Sequence, residues 1–175
     1  MIKIIHNKYN LEEKDIQNKI IRVKALIIND KNELLLGYSF NEYQFIGGHV
    51  EENEDLEIAI KREILEETGS SVNVDIPKPF AVRLDYKKDY PTIGVNTKLE
   101  IYYYEIKTNI NPNINNTNMT NEEKFGGFCL RFINLNDVEE ILIDNMNMFT
   151  DPNGIANEML SLIKIYKEKI YVANS

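Results

Sequence analysis

The sequence predicts an α+β domain in which a mixed β-sheet is sandwiched between helices. Three observations carry this expectation. Residues 20–30, 80–86 and 98–107 read as strands, rich in β-branched and aromatic residues. Residues 55–68 and 153–170 carry helical patterns. The resulting order, β-β-α-β-β-β-α, suits a mixed sheet with helices packed against it.

Taken in order, residues 11–19 hold only a weak helical pattern. IIRVKALIIND (20–30) is a strand closed by the turn-like Asn29-Asp30-Lys31-Asn32, and Leu34–Tyr38 is its hairpin partner. An aromatic-rich connection (Tyr38, Phe40, Tyr43, Phe45) leads to Gly47-Gly48. The helix at 55–68 has Asn53 as its expected N-cap, acids in its first turn and Gly69 in the C′ position. KLEIYYYEIK (98–107) alternates as a half-buried strand does. Residues 108–121 (TNINPNINNTNMTN) form a flexible loop, either drift in an Asn-rich chain or an active-site loop. A strand at 128–134, a short helix at 137–143 and an amphipathic C-terminal helix at about 153–170 complete the chain. No repeat or boundary divides it, so residues 1–175 are expected to form one domain.

Composition excludes several function classes. No run of about 18 apolar residues exists, so no membrane span is expected, and the polar-interrupted start MIKIIHNKYN is not a signal peptide. A single cysteine, Cys129, permits no intrachain disulfide and fits a reducing cytoplasm. The formal charge of −8 argues against non-specific binding to nucleic acid. It leaves room for a small phosphorylated substrate where metal ions reverse the local sign.

The helix at 55–68 is the informative element. At about 100° per residue, Leu56, Ala59, Ile60 and Ile64 share the core-facing side, and Glu63, Glu66 and Glu67 fall largely on that side too. Three partly desolvated carboxylates repel one another unless protonated or neutralised by cations, and Arg62 alone cannot neutralise three. Carboxylate and carbonyl oxygens are what Mg²⁺ prefers.

Gly48, Glu54, Arg62, Glu63, Ile64, Glu66, Glu67 and Gly69 match G-x5-E-x7-R-E-U-x-E-E-x-G-U, where U is a bulky aliphatic. Seven fixed positions at residue frequencies of roughly 7% match a random window with odds on the order of 10⁻⁸. The segment resembles the Nudix box, departing from it only at Ser70, where an aliphatic is expected. Ile46 stands where a proline is frequent. LRFINLNDVEEIL resembles the segment that introduces the family's penultimate helix.

The resemblance implies the Nudix fold and a metal-dependent hydrolase that cleaves a diphosphate linkage in a nucleoside diphosphate derivative, by water attack on phosphorus. It implies Mg²⁺, with Mn²⁺ as a substitute. Glu66 and Glu67 would be the principal ligands together with the Gly48 carbonyl. Glu63 would be a ligand or the base that activates water, and Arg62 would orient Glu54 and the ligands. Some members take their base from a downstream loop, where Glu122 and Glu123 stand here. Arg22, Lys24 and Arg83 are candidates for phosphate contacts, with Lys87, Lys88 and Lys98 as further cations. Tyr86, Tyr90 or the aromatics before the box could stack on a base, and His49 beside the box glycine shapes the loop or touches phosphate.

The other reading is a non-catalytic nucleotide-sensing Nudix module, although sensors usually carry a DNA-binding domain or a degraded box. Isoprenoid diphosphate isomerisation fits poorly, since its cysteine is expected upstream of the box and Cys129 lies downstream. The terminal amphipathic helix suits either a core or a homodimer.

Overall fold

The computed structural model describes residues 1–119, 121–151 and 154–173; the side chains of Glu122, Glu123 and 171–173 are outside that description. Seven strands form one sheet: β1 (Ile2–His6), β2 (Asn18–Ile28), β3 (Glu33–Ser39), β4 (Glu42–Phe45), β5 (Ala81–Lys87), β6 (Thr97–Lys107) and β7 (Cys129–Asn134). Their order is β1-β5-β6-β2-β3-β4, with β7 pairing β3. The sheet is mixed: β2 runs parallel to β6, from Asn18 opposite Thr97 to Ile28 opposite Lys107, and antiparallel to β3. The helices are α1 (Leu56–Thr68), α2 (Asn121–Phe125), α3 (Val138–Phe149) and α4 (Ile155–Ala173).

Strand alternation divides the core into two layers. Leu26, Leu36, Phe45, Leu99, Ile101 and Tyr103 face α3 and α4, meeting Leu142, Met159, Ile163 and Tyr166. Val23, Ala25, Ile27, Leu35, Tyr104 and Ile106 face the other way, onto Ala59, Ile60 and Ile64 of α1. Fully burying each such aliphatic side chain contributes about 1.5–3 kcal/mol, which locks the register of β2 and β6 and so fixes α1. Among the described residues no helix is long and apolar enough to cross a membrane.

Several expectations change in detail. The weak pattern at 11–19 is a single 3-10 turn, Glu13–Asp15, and β2 already starts at Asn18. Asn29 closes the first hairpin with its own side chain, Oδ1 accepting from the Lys31 and Glu33 amides at 3.0 and 2.9 Å. The aromatic connection before the glycines is a second hairpin. Ser39 pairs with Glu42, while Phe40 and Asn41 turn the chain at φ 49° and 64°, both positive as a type I′ turn demands. The N-cap of α1 is Asp55, not Asn53, which instead adopts φ 63° two residues earlier. The predicted helix at 137–143 continues to Phe149, and part of the loop at 108–121 is a 3-10 turn, Ile114–Asn116. The C-terminal helix runs to Ala173; Asn153, its expected start, lies outside the described residues.

Candidate active site

Helix α1 carries its acids where the wheel puts them. Glu67 is only 7% exposed, beside buried Ile60 and Ile64, and Glu63 and Glu66 are partly buried. The helix ends as predicted at Gly69, φ 66°, whose amide donates to the Leu65 carbonyl at 2.8 Å. The Asn-rich loop is fastened to this same end. Asn113 N donates to the Thr68 carbonyl at 2.8 Å and Asn118 N to the Glu66 carbonyl at 2.9 Å. Ser70, the one departure from the box, donates through Oγ to the Asn111 carbonyl at 2.5 Å. Helix C-termini leave carbonyls unsatisfied, and the loop supplies their donors.

Arg62 organises the acids. Its Nε and Nη2 donate to the two Glu54 oxygens at 2.8 and 2.9 Å, a bidentate fork. Nη1 donates to Glu63 Oε1 at 2.8 Å and Glu66 Oε2 at 3.1 Å, and Nη2 also reaches the His49 carbonyl at 2.9 Å. The Arg62 bond holds the Glu54 carboxyl below its usual range. Burial pushes Glu63 up, and Arg62 offsets this only in part.

The two glycines before the helix are close-approach points. A Cβ on Gly47 would stand 2.2 Å from the Val23 carbonyl oxygen, at φ 133°, and the Gly47 amide donates to Glu67 Oε2 at 3.4 Å. A Cβ on Gly48 would stand 2.6 Å from Glu63 Oε2. The Gly48 carbonyl accepts from Val23 N at 3.0 Å. Ile46, in the place of the family's proline, is fully buried and accepts from Ala25 N at 2.8 Å.

Gly47, Gly48, Arg62, Glu63, Glu66 and Glu67 line one cavity of about 640 Å³, together with Arg22, Lys24, Ser39, Phe40, Glu42, Gln44, His49, Glu51, Asn118 and Met119; Glu54 stands behind Arg62, outside that lining. Arg22 donates through Nε to His49 Nε2 at 3.1 Å, so that nitrogen carries no proton. Burial first, then the charges of Arg22 and Lys24, pull the His49 pKa down and keep the ring neutral. Lys24 donates to the Phe45 carbonyl at 3.3 Å. Burial lowers its pKa against the opposing field of Glu67.

The structure thus brings together Gly48, Glu54, Arg62, Glu63, Glu66, Glu67, Arg22, Lys24 and His49. It does not bring Arg83 or Tyr86 to the cavity. Arg83 pairs with Asp85 at 2.8 Å and Glu158 at 3.3 Å, and Tyr86 donates to Glu13 at 2.8 Å. Lys98 also pairs with Glu13, and Lys87 lies over the Tyr90 ring. The backbone of Glu122 and Glu123 lies in α2; their side chains lie outside the described residues. Sequence reasoning missed Ser39, Glu42, Gln44, Asn118 and Met119. The two-residue turn at Phe40-Asn41 puts Ser39, Glu42 and Gln44 on one face, and that turn carries no Asn-Gly pair to announce it in the sequence.

The donor set suits a hard divalent cation: carboxylate oxygens from one helix, Glu67 buried, with no Cβ on Gly48 to crowd Glu63. As placed, no three Asp, Glu, His or Cys side chains among the described residues are arranged round an ion. Glu63 and Glu66 are turned onto Arg62 Nη1 instead.

A NUDIX domain profile matches residues 19–151. No curated protein matches the chain in sequence. Among solved structures, the NUDIX domain of Shewanella oneidensis NrtR, complexed with ADP ribose, is 16% identical, with 92% of this chain and 94% of that one covered and a TM-score of 0.60. The MutT protein from Methanosarcina mazei Go1 is 19% identical over 86% and 96% of the two chains, TM-score 0.52. A MutT from work on the Aliivibrio salmonicida and Vibrio cholerae proteins is 20% identical over 82% and 94%, TM-score 0.51. At these identities the likeness is one of fold.

Proposed function

Because the chain belongs to the Nudix family, we propose that it hydrolyses a diphosphate linkage in a nucleoside diphosphate derivative, using a divalent cation held by Glu63, Glu66 and Glu67. One observation supports this above the others: three carboxylates of one helix reach a cavity that also takes in Arg22 and Lys24. Carboxylates alone would repel a diphosphate, and cations alone would only bind it.

Glu66 and Glu67 are the proposed principal ligands, with the Gly48 carbonyl as a backbone donor and Mg²⁺ as the ion, Mn²⁺ substituting. When bound, the ion neutralises charge on the diphosphate and lowers the pKa of water. The chain's own groups do the rest. Arg22 and Lys24 bind phosphate oxygens, and neutral His49 fixes the Arg22 guanidinium. Glu63 serves either as a third ligand or as the base that takes the proton of the attacking water, with Glu122 or Glu123 on α2 as the alternative base. The water oxygen bonds to one phosphorus as the bridging P–O bond breaks, and the other phosphate leaves with the electron pair. Arg62 is a positioning residue, holding Glu54, Glu63 and Glu66 by hydrogen bonds from one guanidinium.

A phosphate-release screen over nucleotide sugars, dinucleoside polyphosphates, ADP-ribose and nucleoside triphosphates, with Mg²⁺ and with Mn²⁺, tests this. Metal-dependent release from at least one class is expected. Stoichiometric nucleotide binding with no release from any of them would favour a sensing module instead.

A further inference from the structure

We propose that the Asn-rich loop is a clasp on the last turn of α1, with Ser70 and Asn118 as positioning residues for the Glu66 and Glu67 carboxylates. The proposal deepens the hydrolase reading and rests on it for the cation those carboxylates would hold.

Glu66 and Glu67 stand in the final turn of a helix that ends at Thr68. That is the turn a helix loses first by fraying, because its carbonyls lack partners within the helix. The acids that must meet at one ion therefore occupy the least secure part of α1. The Gly69 amide satisfies the Leu65 carbonyl, and the loop takes over from there. The Asn118 amide donates to the carbonyl of Glu66 itself, and the Asn113 amide to that of Thr68. Thr68 is buried at the same point, its Oγ1 donating to the Ile64 carbonyl at 2.6 Å.

The loop is built for this position. Asn109 ties its start to the first hairpin, Oδ1 accepting from the Asp30 amide at 3.1 Å and Nδ2 donating to the Asp30 carboxylate. Ile110 is buried in the same layer as Ile60 and Ile64. Asn113 folds the chain back, its Oδ1 accepting from Asn115 N at 3.2 Å and its carbonyl from Asn116 N at 2.9 Å. That carbonyl rests on Gly69, where a Cβ would stand 1.9 Å from the oxygen. Ser70 completes the seat: in place of the box's aliphatic stands a hydroxyl that donates to the Asn111 carbonyl. An aliphatic side chain would leave that bond unmade. Docking of the loop and binding of a cation thus share a free energy. Whatever fixes the turn favours the ion, and the ion favours the docked loop to the same extent.

Three variants of the whole protein test the clasp, each read by Mn²⁺ titration with electron paramagnetic resonance and by hydrogen exchange in EDTA. Ser70→Val should weaken Mn²⁺ binding about three- to tenfold, the worth of one hydrogen bond. Ser70→Thr, of the same shape but with the hydroxyl kept, should bind as the wild type does. Gly69→Asn keeps a left-handed cap, but its Cβ meets the Asn113 carbonyl and the loop must leave. Its Mn²⁺ affinity should fall at least about tenfold, as when a group that orients a ligand is lost. Its Glu66, Glu67 and Thr68 amides should exchange about tenfold or more faster than in the wild type, with Ala59 and Ile60 unchanged. Wild-type Mn²⁺ affinity in Ser70→Val and Gly69→Asn, equal weakening by Ser70→Val and Ser70→Thr, or unaltered exchange at the end of α1 would each overturn the clasp. Turnover of the same preparations separates the two claims. Weakened Mn²⁺ binding in the variants of an inactive wild type sinks the hydrolase reading alone, and active variants with wild-type Mn²⁺ affinity sink the clasp alone. No Mn²⁺ binding by the wild type sinks both.

Discussion

Replacing Arg62 by alanine removes the one cation that, among the described residues, pairs with Glu54, Glu63 and Glu66 together, and the structure sets the size of the effect. Five hydrogen bonds disappear, four of them to carboxylates whose side chains are 10%, 12% and 33% exposed. Stripping one partner from a buried pair costs about 3–5 kcal/mol and an exposed pair is worth ~0–1, so these partly exposed groups should lose about 2–3 kcal/mol. In a domain of this size that is a drop in Tm of about 5–10 °C. The three acids then keep only the more distant field of Lys24, which acts on Glu63, unless a cation is added. Mg²⁺ should therefore stabilise Arg62→Ala more than the wild type at the same concentration; a protein with a hundred times its Kd of Mg²⁺ present gains ~2.7 kcal/mol. Urea unfolding of both proteins, with Mg²⁺ and with EDTA, reads out all of this. Arg62→Lys should recover only part of the loss, since a point charge cannot span the Glu54 fork. A loss below about 0.5 kcal/mol, typical of surface substitutions, or the same Mg²⁺ response in both proteins, would refute the reasoning.

Three further outcomes are expected. Gly47→Ala meets backbone at 2.2 Å with φ 133° and should unfold or lose more than about 3 kcal/mol. Gly48→Ala meets the Glu63 carboxylate rather than backbone and should fold, with Glu63 displaced from Arg62 and a depressed kcat; circular dichroism and steady-state kinetics separate the pair. Phe40→Asn should melt no lower than the wild type, because asparagine tolerates φ 49° better than phenylalanine, and a fall of several degrees in Tm would contradict this. Burial pulls the Glu105 carboxyl up, but hydrogen bonds from Lys169, Tyr166 and Lys107 outweigh it and hold it below its usual range. A depressed carboxylate contributes stability above its unfolded pKa and loses it as pH falls through the folded one. Glu105→Gln should therefore flatten the wild-type loss of stability below about pH 4.5, measured by urea titration across pH.

Much of the fold was legible because periodicity reports which face is buried. KLEIYYYEIK alternates, and in the structure Leu99, Ile101 and Tyr103 do face one layer while Tyr102, Tyr104 and Ile106 face the other. The α1 wheel was legible for the same reason, and its misplaced acids located the cavity. The β3–β4 hairpin was not, because its turn lacks the usual Asn-Gly pair and puts Phe40 where glycine or asparagine would have announced it. Strand β1 also went unseen, since it is a sheet edge with Ile2 and Ile5 exposed and no alternation to read. Arg83 and Tyr86 looked like pocket residues only because cations and aromatics are common. Their partners, Asp85, Glu158 and Glu13, are set by tertiary contacts that spacing does not encode. The Asn-rich loop gave no pattern at all, although it satisfies the carbonyls at the end of α1 and brings Asn118 to the cavity.

The claim that three acids of α1 form one cation-dependent centre is tested most directly by Mn²⁺ titration of the wild type and Glu67→Gln, followed by electron paramagnetic resonance, with turnover on the best substrate measured alongside. Tight Mn²⁺ binding in the wild type, weakened at least about tenfold in Glu67→Gln, as loss of a ligand predicts, and a matching loss of nearly all metal-dependent turnover at unchanged Tm, are expected. Equal Mn²⁺ affinity and unaltered turnover in Glu67→Gln would contradict the account.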